Sequence, residues 1–338
     1  MINIFNLKYE ELEEFLVSIN EKKYRTKQIY DWLYNHKIFK YHNMNNLSDE
    51  LIAKLEGELS NDFIKIKEVQ KGNKASKYLF ELMDGNLIEA VLMKHEYGNS
   101  LCVSSQVGCN MGCSFCESGK LKKIRDLDAY EMVQQILLVE ADIKMRLSSV
   151  IIMGIGEPFD NYDNVMKFIR IINSPHGLAI GARHITVSTC GLIPGIEKFS
   201  EENLQVNLAV SLHAARNDLR EKLMPISKVY TLDKLIKALK KYHMRTNRRI
   251  TIEYVILRNI NDSREDAVKL AKLLKGMNVY VNLIPYNETS HLEFKKGTAD
   301  ALQIFCEVLK KAGIDITIRK EIGADIDAAC GQLRAGRI

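Results

Sequence analysis

Along the first sixty residues, apolar positions recur every three or four places. Tyr9, Leu12, Phe15 and Leu16 form one set, Ile29, Trp32 and Leu33 a second, and Leu47, Leu51 and Leu55 a third. That is the period of amphipathic helices, and Ser48 ahead of Asp49-Glu50 reads as an N-cap. Between residues 62 and 105 the period falls to two. Lys77 to Leu82, an Asp84-Gly85 turn and Leu87 to Met93 predict a β-hairpin, and Leu101 to Ser105 a further strand. Beyond it, short apolar runs alternate with amphipathic stretches. Strands are predicted over 149–153, 184–188, 206–212, 250–256, 279–284 and 316–319, with helices between them such as 132–139, 162–172, 232–239 and 267–274. One strand every roughly 30–45 residues is βαβ spacing, which requires parallel pairing through right-handed crossovers.

The predicted fold class is therefore α/β. About six units are too few to close an eight-fold barrel, which leaves a partial barrel or an open doubly wound sheet. Three regions are expected: a helical accessory domain over 1–60, a β-hairpin region over 61–100, and the parallel unit with a C-terminal cysteine segment over 101–338. In either architecture, functional groups gather in loops at the C-terminal ends of the strands.

Composition narrows the function classes. With 46% hydrophobic and 27% charged residues, the 338-residue chain is neither disordered nor fibrous. A net charge of +5 is a mild basic excess, compatible with an RNA partner. The acidic start MINIFNLKYEELEEF lacks the apolar core of a secretory signal, and no apolar run approaches membrane-spanning length, so a cytoplasmic protein without a membrane partner is expected. Of seven cysteines, Cys109, Cys113 and Cys116 lie within eight positions, which favours metal or redox chemistry over a disulfide framework.

These three follow directly on the strand at 101–105, spaced C-x3-C-x2-C with Phe115 before the last. Three thiolates on one tight loop can hold three irons of a cubane and leave the fourth open to a small chelating ligand. A structural zinc site would want a fourth protein ligand at suitable spacing, and no second CxxC exists. Gly154-Ile155-Gly156-Glu157-Pro158 follows the next strand: glycines let backbone approach a ligand, and the carboxylate can accept from an ammonium. Ser188, then Ser211-Leu212-His213, then Asn287 lie at or just past successive strand ends. Singly, each reads as a satisfied polar group; in series they read as a ligand shell. Cys102, on a strand, reads by residue type as a buried small hydrophobe. Cys330, among small residues and beside Gly331, reads as accessible, and Cys190 and Cys306 as structural.

With these residues assembled, the chain resembles the radical-SAM adenine methyltransferases of 23S rRNA and tRNA over essentially its whole length. The resemblance is carried by Tyr24-Arg25-x-x-Gln28-Ile29-x-x-Trp32, Lys77 to Phe80, Ile88 to Met93, Leu101 to Cys109, Met153 to Pro158, His184 to Thr189, Leu223 to Ile226 and Asp325 to Leu333. It implies a partial (β/α)6 barrel, a [4Fe-4S] cluster on Cys109, Cys113 and Cys116, and S-adenosylmethionine held by Gly156, Glu157, Ser188, Ser211, Leu212, His213 and Asn287. It also implies methylation of adenine C2, an electron-poor carbon, with two S-adenosylmethionine molecules per turnover. One methylates Cys330; the other yields a 5′-deoxyadenosyl radical that takes hydrogen from that methyl group, and the carbon radical adds to the ring. Glu89 matches the proton acceptor, and Cys102 the thiol that frees the product by pairing with Cys330.

The partners so implied are 23S rRNA, with tRNA as an open second substrate, and an external electron donor such as flavodoxin; a monomer is expected. The N-terminal helices, and Lys120, Lys122, Lys123 and Arg125 behind the cysteine loop, would meet RNA phosphates. Glu117 and Asp126 depart from the family's pattern in that loop, which bears on target choice. A sister group methylates adenine C8 and confers antibiotic resistance; Glu157-Pro158 and Phe159-Asp160-Asn161 lean to the C2 group. A non-methylating radical activase or iron–sulfur protein, or a zinc-stabilised RNA-binding module, would need neither Cys102 nor Cys330.

Overall fold

The computed structural model describes residues 1–289, 291–319, 323, 326, 328 and 330–333. At the N-terminus, β1 (Ile2–Asn3) pairs in parallel with β2 (Leu59–Ser60), closing a helical unit of α1 (Tyr9–Ser18), α2 (Tyr24–Tyr30) and α3 (Asp49–Glu58). Ser48 caps α3 as expected, its side chain accepting from Leu51 N at 3.3 Å. The apolar stripes meet in a core that includes Leu12, Leu16, Ile29 and Leu51. α2 continues into a π-helical turn over Asp31–Asn35, a feature with no sequence signal.

The remaining chain builds one ten-stranded sheet. β3 (Lys65–Lys71), β4 (Ala75–Glu81), β5 (Leu87–His95) and β6 (Gly98–Val103) pair antiparallel in succession. β6 then pairs in parallel with β9 (Ser149–Ile152), leaving β7 (Gln106–Val107) and β8 (Arg125–Asp126) as a small antiparallel pair in the intervening loop. From β9 the parallel order runs through β10 (Ile185–Thr189), β11 (Asn207–Ser211), β12 (Ile250–Ile256), β13 (Val279–Pro285) and β14 (Asp315–Ile318). The crossovers carry α4 (Ala129–Ile143), α5 (Tyr162–Asn173), α6 (Ile193–Phe199), α7 (Asn217–Leu223), α8 (Leu232–Thr246), α9 (Arg264–Leu274) and α10 (Ala299–Lys311).

Strand order follows chain order without reversal. A doubly wound sheet requires a reversal; right-handed crossovers all stepping one way put their helices on one face and curl the sheet into an open barrel. The sequence alternatives thus resolve to the partial barrel. Capping sets where its helices begin. Asp128 and Glu131 form a capping box at α4, and Ser263 and Thr298 cap α9 and α10. Among the described residues no helix is long and apolar enough to cross a membrane.

Candidate active site

Ser105 N and Gln106 N both donate to Ile155 O, at 3.0 and 3.2 Å, so the loop after β6 lies directly on the loop after β9. Gly156 makes this approach possible. It has φ +113°, and a Cβ there would stand 2.7 Å from Gln106 Cβ. Gln106 Oε1 accepts from Glu157 N at 2.8 Å, while its amide donates to Asp126 and Asp160 at 2.8 and 2.9 Å. Asp126, which departs from the family pattern, is therefore part of the network that fixes the glycine loop. Lys123 bridges the same two acids at 2.8 and 2.7 Å, and Arg125 pairs with Asp84 and Glu131 at 2.6 and 2.7 Å. This corrects part of the sequence reading: Lys123 and Arg125 are engaged within the fold, Lys120 donates to His291 O at 2.7 Å, and Lys122 stands exposed.

The cysteine loop is tied down on both sides. Cys109 N donates to Leu121 O, Cys116 N to Cys113 O and Ser114 N to Leu223 O. Phe115 meets the His213 ring edge-on at 4.8 Å. Cys109, Cys113 and Cys116 share a cavity of about 150 Å3 with Gly156, Glu157, Ser188, Ser211, His213 and Asn287. Glu157 is buried, its carboxylate accepting from Cys190 N at 2.7 Å and Phe159 N at 3.0 Å; burial raises its pKa against these bonds. His213, at φ +56°, accepts from Val255 N through Nδ1 at 3.0 Å. Burial and the nearby Arg220 lower its pKa to about 3, so the ring is neutral at physiological pH. Leu212 is buried and does not line this cavity; its N–H donates to Glu253 O at 3.0 Å and its carbonyl accepts from Arg220 Nε at 3.1 Å, so both backbone groups are engaged within the fold.

A second cavity, of about 630 Å3, adjoins the first. Cys116, Ser118, Gly154, Glu253, Asn287 and Cys330 belong to both walls. Cys102 lines the wide cavity, from β6 beside Val91 of β5. Burial pushes its thiol up to about 12. All seven cysteines are free thiols. Glu89 is buried on the same face of β5 as Val91 and Met93 by strand alternation, outside the residues lining either cavity, with Lys77 Nζ 3.5 Å from its Oε1. Cys190 is buried at the start of the loop after β10, and Cys306 in α10.

Sequence reasoning missed three residues. Arg220 is wholly buried and fans out to Cys190 O (2.7 Å), Ser211 O (3.1 Å), Leu212 O (3.1 Å) and Ser227 Oγ. It pins the loops after β10 and β11, and no local pattern announces it. Glu253 interrupts the apolar run of β12, which was a usable signal; buried, it accepts twice from Asn282, at 3.2 and 3.0 Å. Arg319 reaches Met153 Sδ at 3.7 Å in the wall of the wide cavity. Ser118 and Glu117 also gain roles. Glu117 N donates to Gly331 O at 2.8 Å and Ser118 Oγ to Leu333 O at 2.7 Å, latching the Cys330 segment onto the cysteine loop. The Glu117 carboxylate accepts from Thr289 Oγ1 at 2.6 Å.

The donor set fits an iron–sulfur cubane. Among the described residues no three His, Cys, Asp or Glu side chains close around a single ion, whereas in a cubane each thiolate meets a different iron. Burial raises all three thiols, Cys109 to about 12. Only a strongly cationic centre would draw off their protons. Beside them, an acid and hydroxyls line a small cavity, a polarity suited to an amino acid head group.

Comparison with known proteins agrees with this geometry. Residues 103–271 match the family model of the radical SAM superfamily, and residues 2–60 that of the ribosomal RNA large subunit methyltransferase N-terminal domain. A probable dual-specificity RNA methyltransferase RlmN of Acholeplasma laidlawii is 53% identical over 335 residues, covering 98% of each chain. Its namesake in Thermoanaerobacter pseudethanolicus is 50% identical over 336 residues, covering 99% of this chain and 98% of that one. The crystal structure of a radical SAM methyltransferase from Sphaerobacter thermophilus superposes with a TM-score of 0.95 at 40% identity, covering 99% of this chain and all of the other. The chain belongs to the RlmN family of radical SAM methyltransferases.

Proposed function

We propose that this protein methylates C2 of an adenine in 23S rRNA, and in tRNA, through a methyl group carried on Cys330. Its cofactors are a [4Fe-4S] cluster and S-adenosylmethionine. Cys109, Cys113 and Cys116 would hold the cluster, and Gly156, Glu157, Ser188, Ser211, Leu212, His213 and Asn287 the S-adenosylmethionine, with Glu157 toward its amino group. When bound, these groups supply a transferable methyl and the abstraction of a hydrogen atom.

The observation that best supports this reading is the position of Cys330 in the wall common to both cavities. From there its sulfur can take a methyl group from the cofactor side and present it to a base on the other. Cys330 Sγ gives up its proton and gains the methyl; the methyl carbon then bonds to the adenine ring. Glu89 takes the proton from the substituted ring carbon. The adduct gives one electron back to the redox chain that supplied it. The Cys102 thiolate, on β6, then attacks the Cys330 sulfur, and the bond from that sulfur to the methylene carbon breaks with its electron pair passing to carbon. That carbon takes a proton to become the product methyl group, and the two cysteines are left joined as a disulfide. A ring carbon can reach Cys330 only if the base leaves its stack, so the target is a flipped or loop adenosine. Residues 1–60 would serve as an RNA-binding accessory domain. The electron comes from an external donor such as flavodoxin, and the protein acts as a monomer in the cytoplasm.

The test is peptide mass spectrometry after anaerobic incubation with methyl-deuterated S-adenosylmethionine and no RNA. The proposal expects one labelled methyl on the peptide containing Cys330, absent from Cys330→Ser. RNA methylation by protein whose Cys330 stays unlabelled would overturn it.

A further inference from the structure

The wide cavity runs between the two ends of the barrel strands. At one end stand Cys116, Ser118 and Cys330; at the other, Ser149 at the start of β9 and Arg183 and His184 just ahead of β10. The first end is covered by the cysteine loop, bonded to Gly331 and Leu333 through Glu117 and Ser118. The second is flanked by the hairpin between β5 and β6, whose two-residue tip is Glu96-Tyr97, with His95 paired to Gly98. Tyr97 is 78% exposed, yet its ring lies flat on His95, 4.7 Å between centroids and 5° between planes. Both rings line the cavity mouth. Across it Arg183 and His184 are exposed. Arg183 Nε donates to Gln205 Oε1 at 2.8 Å, and among the described residues no carboxylate pairs with it. Between the two ends the lumen presents the hydroxyl-bearing residues Ser100, Thr186, Thr251 and Thr317.

An exposed, rigidly held aromatic facing a guanidinium is the equipment with which proteins capture unpaired nucleotides: the ring stacks on a base and the cation meets a phosphate. A protein partner would want a contiguous apolar patch, whereas this rim is histidine, arginine and the acid Glu96 around one ring. We propose that RNA docks at this mouth, on the N-terminal side of the strands. An unpaired base beside the target adenosine stacks on Tyr97, Arg183 meets its phosphate, and the flipped adenosine passes up the hydroxyl-lined lumen to Cys330. The inference rests on RNA being the substrate and Cys330 the reacting group.

The test uses reconstituted holoprotein and a hairpin RNA whose loop adenosine is flanked by 2-aminopurine. Binding is read by anisotropy and stacking by 2-aminopurine quenching, without S-adenosylmethionine; methylation is then measured as KM against kcat. Tyr97→Ala should weaken binding about ten-fold, abolish the quenching and raise KM with little change in kcat, while Tyr97→Phe retains all three. Arg183→Ala should weaken binding and lower the salt slope by about 0.7. Methylation of Cys330 in the absence of RNA should be unchanged in all three variants, which establishes that they fold. Wild-type binding and quenching in Tyr97→Ala would overturn the docking site alone. Failure of the wild type itself to bind or methylate the RNA would overturn the RNA reading and the docking site with it.

Discussion

Arg220 offers a test of how the cofactor loops are held. Its guanidinium is wholly buried, among the described residues no carboxylate pairs with it, and its charge is met by three carbonyl oxygens and one hydroxyl. Arg220→Met keeps most of the volume but leaves four buried acceptors without a donor. At about 1–3 kcal/mol for each unsatisfied group, the loss is at least about 4 kcal/mol. Removing a buried cation, whose pKa burial lowers, returns part of this. The net expected destabilisation is about 3–5 kcal/mol, a large fraction of the roughly 5–15 kcal/mol that holds a typical fold. The assay is anaerobic thermal unfolding of reconstituted protein followed by circular dichroism, with a fall in Tm of about 4–7 °C. Arg220→Lys, which keeps the charge but not the planar fork, should fall between the two. A Met variant within about 1 kcal/mol of wild type would refute the reasoning, since it would mean that the loops after β10 and β11 hold themselves.

Three further outcomes follow from the same geometry. His213 titrates near 3 when folded against 6.5 when unfolded, so below pH 6.5 the unfolded chain takes a proton that the folded one refuses. Stability is therefore lost as pH falls through this window, by about 2 kcal/mol at pH 5, and is unaffected above 6.5; urea titrations of His213→Gln should give a flatter acid limb, and an unchanged limb would contradict the burial of a neutral ring. Gly156→Ala adds a Cβ 2.7 Å from Gln106 at φ +113°, and should abolish saturable S-adenosylmethionine binding in equilibrium dialysis while the three-cysteine loop still takes up iron. Ser118→Ala removes the bond to Leu333 O; alkylation of Cys330 in the reduced protein should speed up several-fold, Ser118→Thr should restore the wild-type rate, and equal rates in all three would mean that the latch does not hold the segment.

How much of this could be read from sequence depends on where the causes lie. The parallel strands were legible because they are buried on both faces: five of the seven residues of Ile250–Ile256 are β-branched, with Glu253 the one charged interruption, and its bounds were met to the residue. β3 was missed because, as the edge strand, most of its residues are exposed and polar. α6 and α7 have seven residues each, too few to show a helical period. The cysteine triplet was legible because a cubane demands close spacing on one loop. Cys330 and Cys102 lie 228 positions apart, and only the fold brings them to one cavity; residue type alone had assigned Cys102 to the core. The charges behind the cysteine loop misled for the converse reason. Lys123 and Arg125 look like free cations in the chain, but Asp160, Asp84 and Glu131 neutralise them from separate parts of the fold.

The central claim is that the methyl group reaches an adenine carbon by way of Cys330. The most direct measurement is mass spectrometry of nucleosides from a 23S rRNA fragment incubated anaerobically with reconstituted enzyme, S-adenosylmethionine and reductant, for wild type beside Cys330→Ala. The account predicts 2-methyladenosine from the wild type and none from the variant. An 8-methyladenosine product would keep the cysteine route and contradict the regiochemistry, and a product that survives Cys330→Ala would contradict the route itself.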